Sequence, residues 1–262
     1  MISPLAYVDP SARIGTGVEI KPFAYINKDV VIGDNCTIHP HATILAGTTM
    51  GTGNTIHSGA VIGAEPQDFH YVSGTPSHVE IGNDNCIREN VVIALGYEGG
   101  KGTRIGDGNF LMDRVHVCHD ANITNKCVVG IGSIVGADSE IDEACILTNS
   151  VLLSPGVRTG RYCLVQSGCR VQKDVPPYAI LGGNPSAYHG VNSVVLKHCG
   201  VSERILRHIA NAYRIVYTGN FSLADAMLRI REQIPDSEEI RYITSFISAS
   251  HLGLVGRASE GE

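Results

Sequence analysis

The apolar positions of this chain recur with a period of six. Stepping by six from Ile2 gives Val8, Ile14, Ile20, Ile26, Ile32, Ile38, Ile44, Met50, Ile56 and Ile62. The register lapses and resumes at Ile81, Ile87 and Ile93. It lapses again and runs from Ile105 through Leu111, Val117, Ile123, Val129, Val135, Ile141, Leu147, Leu153, Thr159, Val165 and Val171. Thr159 is the single departure in 26 positions, so the repeat is not accidental. Four residues after the aliphatic one stands a small or branched residue, as at Val18, Ala24, Val30, Cys36, Ala42, Thr48, Ala60, Ala121, Cys127 and Ser133. A period of six fits neither the 3.6-residue helix nor the alternation of a hairpin meander. It predicts a prism of short parallel strands turned by tight corners, with the aliphatic and small positions both pointing inward. Three hexads close one coil, so residues 18 apart stack about 4.7–4.9 Å above one another.

The two lapses are Ala64–His78 (AEPQDFHYVSGTPSH) and Ala94–Arg104 (ALGYEGGKGTR). Both are rich in glycine and polar residues and read as loops leaving the prism. Loops on a rigid scaffold commonly carry binding function. After Val171 comes a proline- and glycine-rich exit, DVPPYAILGGNPSAYHG, and from Asn192 the apolar spacing turns helical, with Leu206, Ile209, Tyr213 and Val216 three or four apart. Ser222 with Asp225, and Asp236 with Glu239, have the spacing of capping boxes, and Gly219 and Pro235 are helix stops. The expected organisation is mainly β: a parallel β prism over residues 1–190 and a small domain of about three helices over 191–262, with the terminal RASEGE frayed.

Composition narrows the function classes. Hydrophobic residues make up 43% and charged residues 18%, which excludes general disorder. Aromatics are 6% and tryptophan is absent, so the core is built from branched and small side chains. The 20 basic and 26 acidic residues leave a net charge of −6, which argues against a bulk nucleic-acid binder. No run reaches the roughly 18 apolar residues of a membrane span, and MISPLAYVDPSARIG lacks the features of a signal peptide, so a cytoplasmic protein is expected. Five of the eight cysteines, Cys36, Cys127, Cys145, Cys163 and Cys169, occupy the small inward position, where a thiol packs as a compact hydrophobe. Neither disulfides nor a structural zinc site is expected.

A filled prism has no interior pocket, so chemistry must use its outer wall, its loops or its subunit seams. The most suggestive run is FLMDRVHVCHDANI (Phe110–Ile123). Val117 points inward, so His116 and His119 project outward, with Asp120 beside them, a cluster able to handle protons near neutral pH. Two histidines three apart, with no third candidate that has a motif around it, do not make a tetrahedral zinc site. No metal and no cofactor are expected.

The hexads resemble those of the hexapeptide-repeat left-handed parallel β-helix, over residues 1 to about 180. The left-handed winding, contrary to the usual crossover preference, is taken from that resemblance. PQDFHY, IREN at 87–90, FLMDRVHVCHD, KDVPPYAILGGNP, HGVN and NAYRIVY extend the likeness, over nearly the whole chain, to the UDP-N-acetylglucosamine O-acyltransferases that start lipid A synthesis. The resemblance implies a homotrimer with active sites between adjacent subunits. It also implies transfer of an acyl chain, often 3-hydroxylated, from acyl carrier protein to the 3-hydroxyl of UDP-N-acetylglucosamine. It makes His119 the general base with Asp120 in support, and the backbone N–H of Ala137, one coil on, the oxyanion donor where the family has glycine. Gln67, Asp68 and His116 match residues of the sugar cleft, and Asn192 and His198 match positions near the nucleotide.

Several positions depart from the family pattern. Ala94-Leu95-Gly96-Tyr97 stands for a His-Arg-Gly-Thr run, Asp138 and Ser154 for two histidines, and Pro155 for a glutamine. Val194 stands for a glutamate and His198-Cys199 for paired arginines. The alternatives are a paralogue acting on another sugar nucleotide, a zinc hydrolyase like the γ-class carbonic anhydrases, and a non-catalytic β-helix serving binding or assembly. Lys197, Arg204, Arg207 and Arg214 outnumber Glu203 in the helical region. That is either a face that steers an acidic carrier protein or an ordinary solvated surface.

Overall fold

A computed structural model describes residues 1–97, 102–219 and 221–257. Three parallel sheets form the walls of a left-handed β-helix. Wall one runs from Tyr7–Val8 to Arg170–Val171, wall two from Arg13–Ile14 to Arg158–Thr159, and wall three from Glu19–Ile20 to Ala179–Gly182. Partners along a wall are 18 residues apart in the regular coils, as in Tyr7 beside Tyr25 and His116 beside Ile134, and 16 apart in the last, where Leu164 lies beside Ile180. The spacing becomes 31 from Met50 to Ile81 and 24 from Ile81 to Ile105, because two loops leave the coil there. The second loop is shorter than the expected Ala94–Arg104. Ala94 ends one strand and Thr103–Ile105 forms the next, whose Arg104 pairs with Glu80 at 3.2 Å on the neighbouring strand. Residues 98–101 of that loop lie outside the described residues.

The corners need a left-handed backbone every few residues. Asp29, Asn35, Asp84, Asn90 and Asp120 all take φ between 55° and 58°, a conformation that Asn and Asp tolerate best after glycine. Between corners the aliphatic position points in, and Ile26, Ile38, Ile44, Ile56, Ile62, Ile87 and Ile93 are fully buried. Each such side chain contributes about 1.5–3 kcal/mol by leaving water.

The interior is not wholly apolar. Asn54, Asn85 and Asn109 are buried in the small inward position and form a ladder. Asn85 donates Nδ2–H to Asn54 Oδ1 at 3.0 Å, while the backbone N–H groups of Asn109 and Cys127 donate to Asn85 Oδ1 and Asn109 Oδ1, both at 2.8 Å. The Nδ2 groups of Asn85 and Asn109 also donate to the carbonyls of Gly106 and Thr124, so the buried amides are satisfied. Thr159, the exception in the hexad count, is buried with its hydroxyl 3.5 Å from Cys145 Sγ. The five inward cysteines are buried and all eight are free thiols.

The outer faces of the walls differ in character. Wall two carries ion pairs, including Glu80–Arg104 and Glu140–Arg158. Wall one presents Ile134 and Leu152, and wall three presents Phe110, Val128, Ile146 and Leu164, so two of the three outer faces are largely apolar.

Above the last coil, Ala187–Val191 pairs antiparallel with Ala179–Gly182 and leads into helices α1 (Ser193–His198), α2 (Glu203–Thr218), α3 (Leu223–Gln233) and α4 (Glu238–Ser248). Among the described residues there are four helices rather than about three. Gly200, at φ 82°, and the N-cap Ser202 divide α1 from α2. Ser222 caps α3 by accepting from Asp225 N–H at 3.0 Å, while its hydroxyl donates back to Asp225 Oδ2. The cap of α4 is Ser237, accepting from Ile240 N–H at 3.3 Å, and not Asp236, which pairs instead with Arg241. Leu206, Ile209, Tyr213, Val216, Ile230 and Ile243 form a second core against Tyr178. The chain then returns to the prism. Leu254 bridges to Asp174, and Val255 is buried in the prism core, where it covers the open end of the last coil. Of the terminal RASEGE, the residues after Arg257 lie outside those described. No described helix is long and apolar enough to cross a membrane.

Candidate active site

His119 stands at the corner between walls one and two, two residues beyond the inward Val117 that ends the strand His116–Val117. Its side chain is outside the prism but only 15% exposed, and that of Asp120 is 7% exposed. His119 Nδ1 lies 3.0 Å from Asp120 Oδ2, and the same oxygen accepts the Tyr97 N–H at 2.8 Å. The Asp120 N–H donates to Thr103 Oγ1 at 3.0 Å. Tyr97 therefore holds the carboxylate of Asp120 and Thr103 holds its backbone. Asp120 Oδ1 is buried with no hydrogen-bond partner among the described residues and faces Gly96, where an added Cβ would approach it to 2.8 Å. A carboxylate fixed on Nδ1 selects the tautomer that carries a proton there. Nε2 is left as the acceptor for a substrate hydroxyl.

One coil above His119, Ala137 supplies an unengaged donor. At the equivalent corners an Asp or Asn one coil on accepts this backbone N–H: Asp34 from Thr16 at 2.6 Å, Asn125 from Asp107 at 2.7 Å, and Asn149 from Ile131 at 3.1 Å. Above Ala137 the position is Pro155, which offers no side-chain acceptor, and the Ala137 amide has no partner among the described residues. The stacking that engages the N–H at those three corners leaves the Ala137 N–H open, one coil from His119.

Gln67 and Asp68 are exposed on the first loop, where Asp68 Oδ1 accepts the His70 N–H at 2.8 Å. That loop reaches the His119 corner through aromatic rings: Tyr71 lies 6.0 Å from Tyr97, and Tyr97 5.3 Å from His119. His116 is half-buried on wall one, and burial pushes its imidazole pKa down, so the ring is neutral at pH 7. Asn192 is 2% exposed and donates Nδ2–H to the Tyr162 carbonyl at 3.0 Å, more than two coils above His119. His198 is exposed at the end of α1. A single chain thus assembles His119, Asp120 and Ala137 at one corner, with His116 on the adjoining strand of wall one, and no contact among the described residues brings Asn192 or His198 to it. Thr103 is fully buried in the small inward position two residues before Ile105, whereas Gly96 and Tyr97 carry no hexad signal and stood out in the sequence only as part of the Ala94–Tyr97 departure from the family pattern.

Over 255 residues the chain is 42% identical to the acyl-[acyl-carrier-protein]–UDP-N-acetylglucosamine O-acyltransferase of Alkalilimnicola ehrlichii, covering 97% of this chain and 98% of that one. The chain belongs to the UDP-N-acetylglucosamine O-acyltransferase family. Among solved structures, this O-acyltransferase resembles the UDP-N-acetylglucosamine acyltransferase of Bacteroides fragilis with a TM-score of 0.95 at 46% identity, over 97% of this chain and all of that one. The corresponding enzyme of Francisella novicida gives 0.95 at 31% identity, over 99% and 95%. Residues 174–255 match the family described as UDP N-acetylglucosamine O-acyltransferase, domain 2, and residues 29–64 match the bacterial transferase hexapeptide (six repeats). On the helices of this O-acyltransferase, Lys197 is paired with Glu203 at 2.7 Å, while Arg204, Arg207 and Arg214 are exposed along α2.

Proposed function

We propose that this chain transfers an acyl group from acyl carrier protein to the 3-hydroxyl of UDP-N-acetylglucosamine, the first step of lipid A biosynthesis, with His119 as general base. The observation that carries the mechanism is the His119–Asp120 pair, outside the packed prism, with Nδ1 engaged at 3.0 Å. Nε2 accepts the proton of the sugar hydroxyl as its oxygen attacks the thioester carbonyl. The oxyanion that forms is met by the Ala137 N–H. When the tetrahedral intermediate collapses, the C–S bond breaks and the imidazolium returns the proton to the departing thiolate, leaving the base as it began. General base catalysis of this kind contributes about 10²–10⁴ in rate, and an oxyanion donor roughly 10²–10³.

Gln67, Asp68 and His116 are assigned to the sugar, and Asn192 and His198 to the nucleotide. Since one chain keeps the two groups apart, the nucleotide residues come from a neighbouring copy in a homotrimer. The apolar outer faces of walls one and three support that assembly, because each requires cover, whereas the ion pairs of wall two suit water. The exposed arginines of α2 offer the acidic carrier protein a basic landing face. The enzyme works in the cytoplasm.

The test is product formation by mass spectrometry, with acyl carrier protein thioesters and UDP-N-acetylglucosamine, for the wild type and for His119→Ala. Loss of product is expected in a variant that keeps its oligomeric state and melting temperature. A folded His119→Ala protein that turns over at the wild-type rate overturns the mechanism.

A further inference from the structure

We infer that Tyr97 is a positioning residue for His119, acting on one side through Asp120 and on the other through its own ring. The inference rests on the assignment of His119 as the base.

Asp120 Oδ2 is shared. It accepts the Tyr97 N–H at 2.8 Å and faces His119 Nδ1 at 3.0 Å. Any displacement of the Tyr97 backbone therefore moves the carboxylate that sets the imidazole. The Tyr97 ring meets the imidazole directly, with centroids 5.3 Å apart and planes at 42°, and it is backed by Tyr71 at 6.0 Å and 59°. Asp120 holds the edge of the histidine and Tyr97 bears on the ring itself. The two contacts restrict both torsions of the side chain, so the attacking hydroxyl finds Nε2 in one place.

The backbone of Tyr97 is held in turn. The His78 carbonyl accepts the N–H groups of Gly96 at 3.2 Å and Thr103 at 3.3 Å, joining the two ends of the second loop. Ser77 Oγ donates to the Gly96 carbonyl at 2.5 Å. A Cβ on Gly96 would lie 2.7 Å from Gly102 Cα and 2.8 Å from Asp120 Oδ1, so the loop ends are packed to backbone contact over the carboxylate. Ser77 and His78 end the same first loop that presents Gln67 and Asp68. The acceptor-facing loop and the base are thereby tied through the residues around Tyr97. Where the family pattern has threonine, no ring would reach the histidine.

The test compares Tyr97→Phe, Tyr97→Thr and Tyr97→Ala in the full-length enzyme, reading kcat, KM for UDP-N-acetylglucosamine and melting temperature. Phenylalanine keeps the ring and the backbone contact and is expected to stay within about twofold of wild-type kcat. Threonine and alanine are expected to lower kcat by roughly 10–100-fold with KM nearly unchanged, the signature of a misplaced base rather than lost ground-state binding. In a His119→Ala background, Tyr97→Ala is expected to lower the residual rate no further, because the group it positions is gone. Wild-type kcat in Tyr97→Ala overturns the inference, and so does a rise in KM alone. If Tyr97→Ala does not fold, Tyr97→Thr against Tyr97→Phe decides. Full activity in His119→Ala would instead refute the base itself, a result separable from failure of Tyr97 alone.

Discussion

Replacing Asp120 by asparagine changes charge and almost nothing else. The carboxylate oxygen Oδ2 takes the Tyr97 N–H at 2.8 Å and the His119 Nδ1–H at 3.0 Å, and an asparagine carbonyl oxygen can accept both. What it cannot do is attract the imidazolium formed when His119 takes the hydroxyl proton. For charge centres about 4 Å apart at an effective dielectric constant near 20, that attraction is about 4 kcal/mol. A barrier raised by that much slows the chemical step by roughly 10³. Stability should change little. Asp120 Oδ1 is already buried without a described partner, so an asparagine NH₂ in its place exchanges one unsatisfied polar atom for another. The assay is steady-state kinetics by mass spectrometry beside a thermal melt. A variant that melts like the wild type and keeps kcat within threefold would refute the argument that this carboxylate stabilises a charged His119.

Two further predictions concern stability. Asn85→Leu strands the Asn109 N–H and the Gly106 carbonyl inside the prism; at about 1–3 kcal/mol for each unsatisfied group, the variant should show a clear loss in chemical denaturation, and unchanged stability would contradict the ladder. Alkaline pH should loosen the helical region. Burial pushes Tyr178 and Tyr188 up from 10 to about 12, and raises Tyr213, Tyr217 and Tyr242 as well. Above pH 10 the unfolded chain has lost protons that the folded chain keeps, so stability is complete below that pH and falls as pH rises toward 12. Each of these tyrosines then costs about 1.4 kcal/mol per pH unit. Phenolate absorbance and circular dichroism followed together should show helix loss accompanying ionisation, and stability that is level to pH 12 would refute the linkage.

Much of this molecule is legible residue by residue. In a β-helix, whether a side chain points in or out depends on its place within its own hexad, so the aliphatic run from Ile2 to Val171 announces the prism without reference to distant partners. The outward position of His119 follows from Val117 two residues earlier, and helix α3 follows from Ser222 and Asp225. Other features depend on which residues stack. Asn54, Asn85 and Asn109 stand four residues after Met50, Ile81 and Ile105, so the hexad places them inward, but nothing in it says that they meet one another. They form an internal ladder because the two loops, of different length, return the chain to the same inward position at spacings of 31 and 24. The open amide of Ala137 required knowing that Pro155 lies above it, and the grip on Asp120 required Tyr97 and Thr103 to arrive from a loop with no repeat of its own. Val255 could not be placed in the prism core until the chain had passed through four helices and come back. Inward and outward sorting is a local preference of each short segment for water or for its absence. Contacts across coils and loops exist only once closure has brought remote segments together, and a single stretch of chain carries no record of its eventual neighbour.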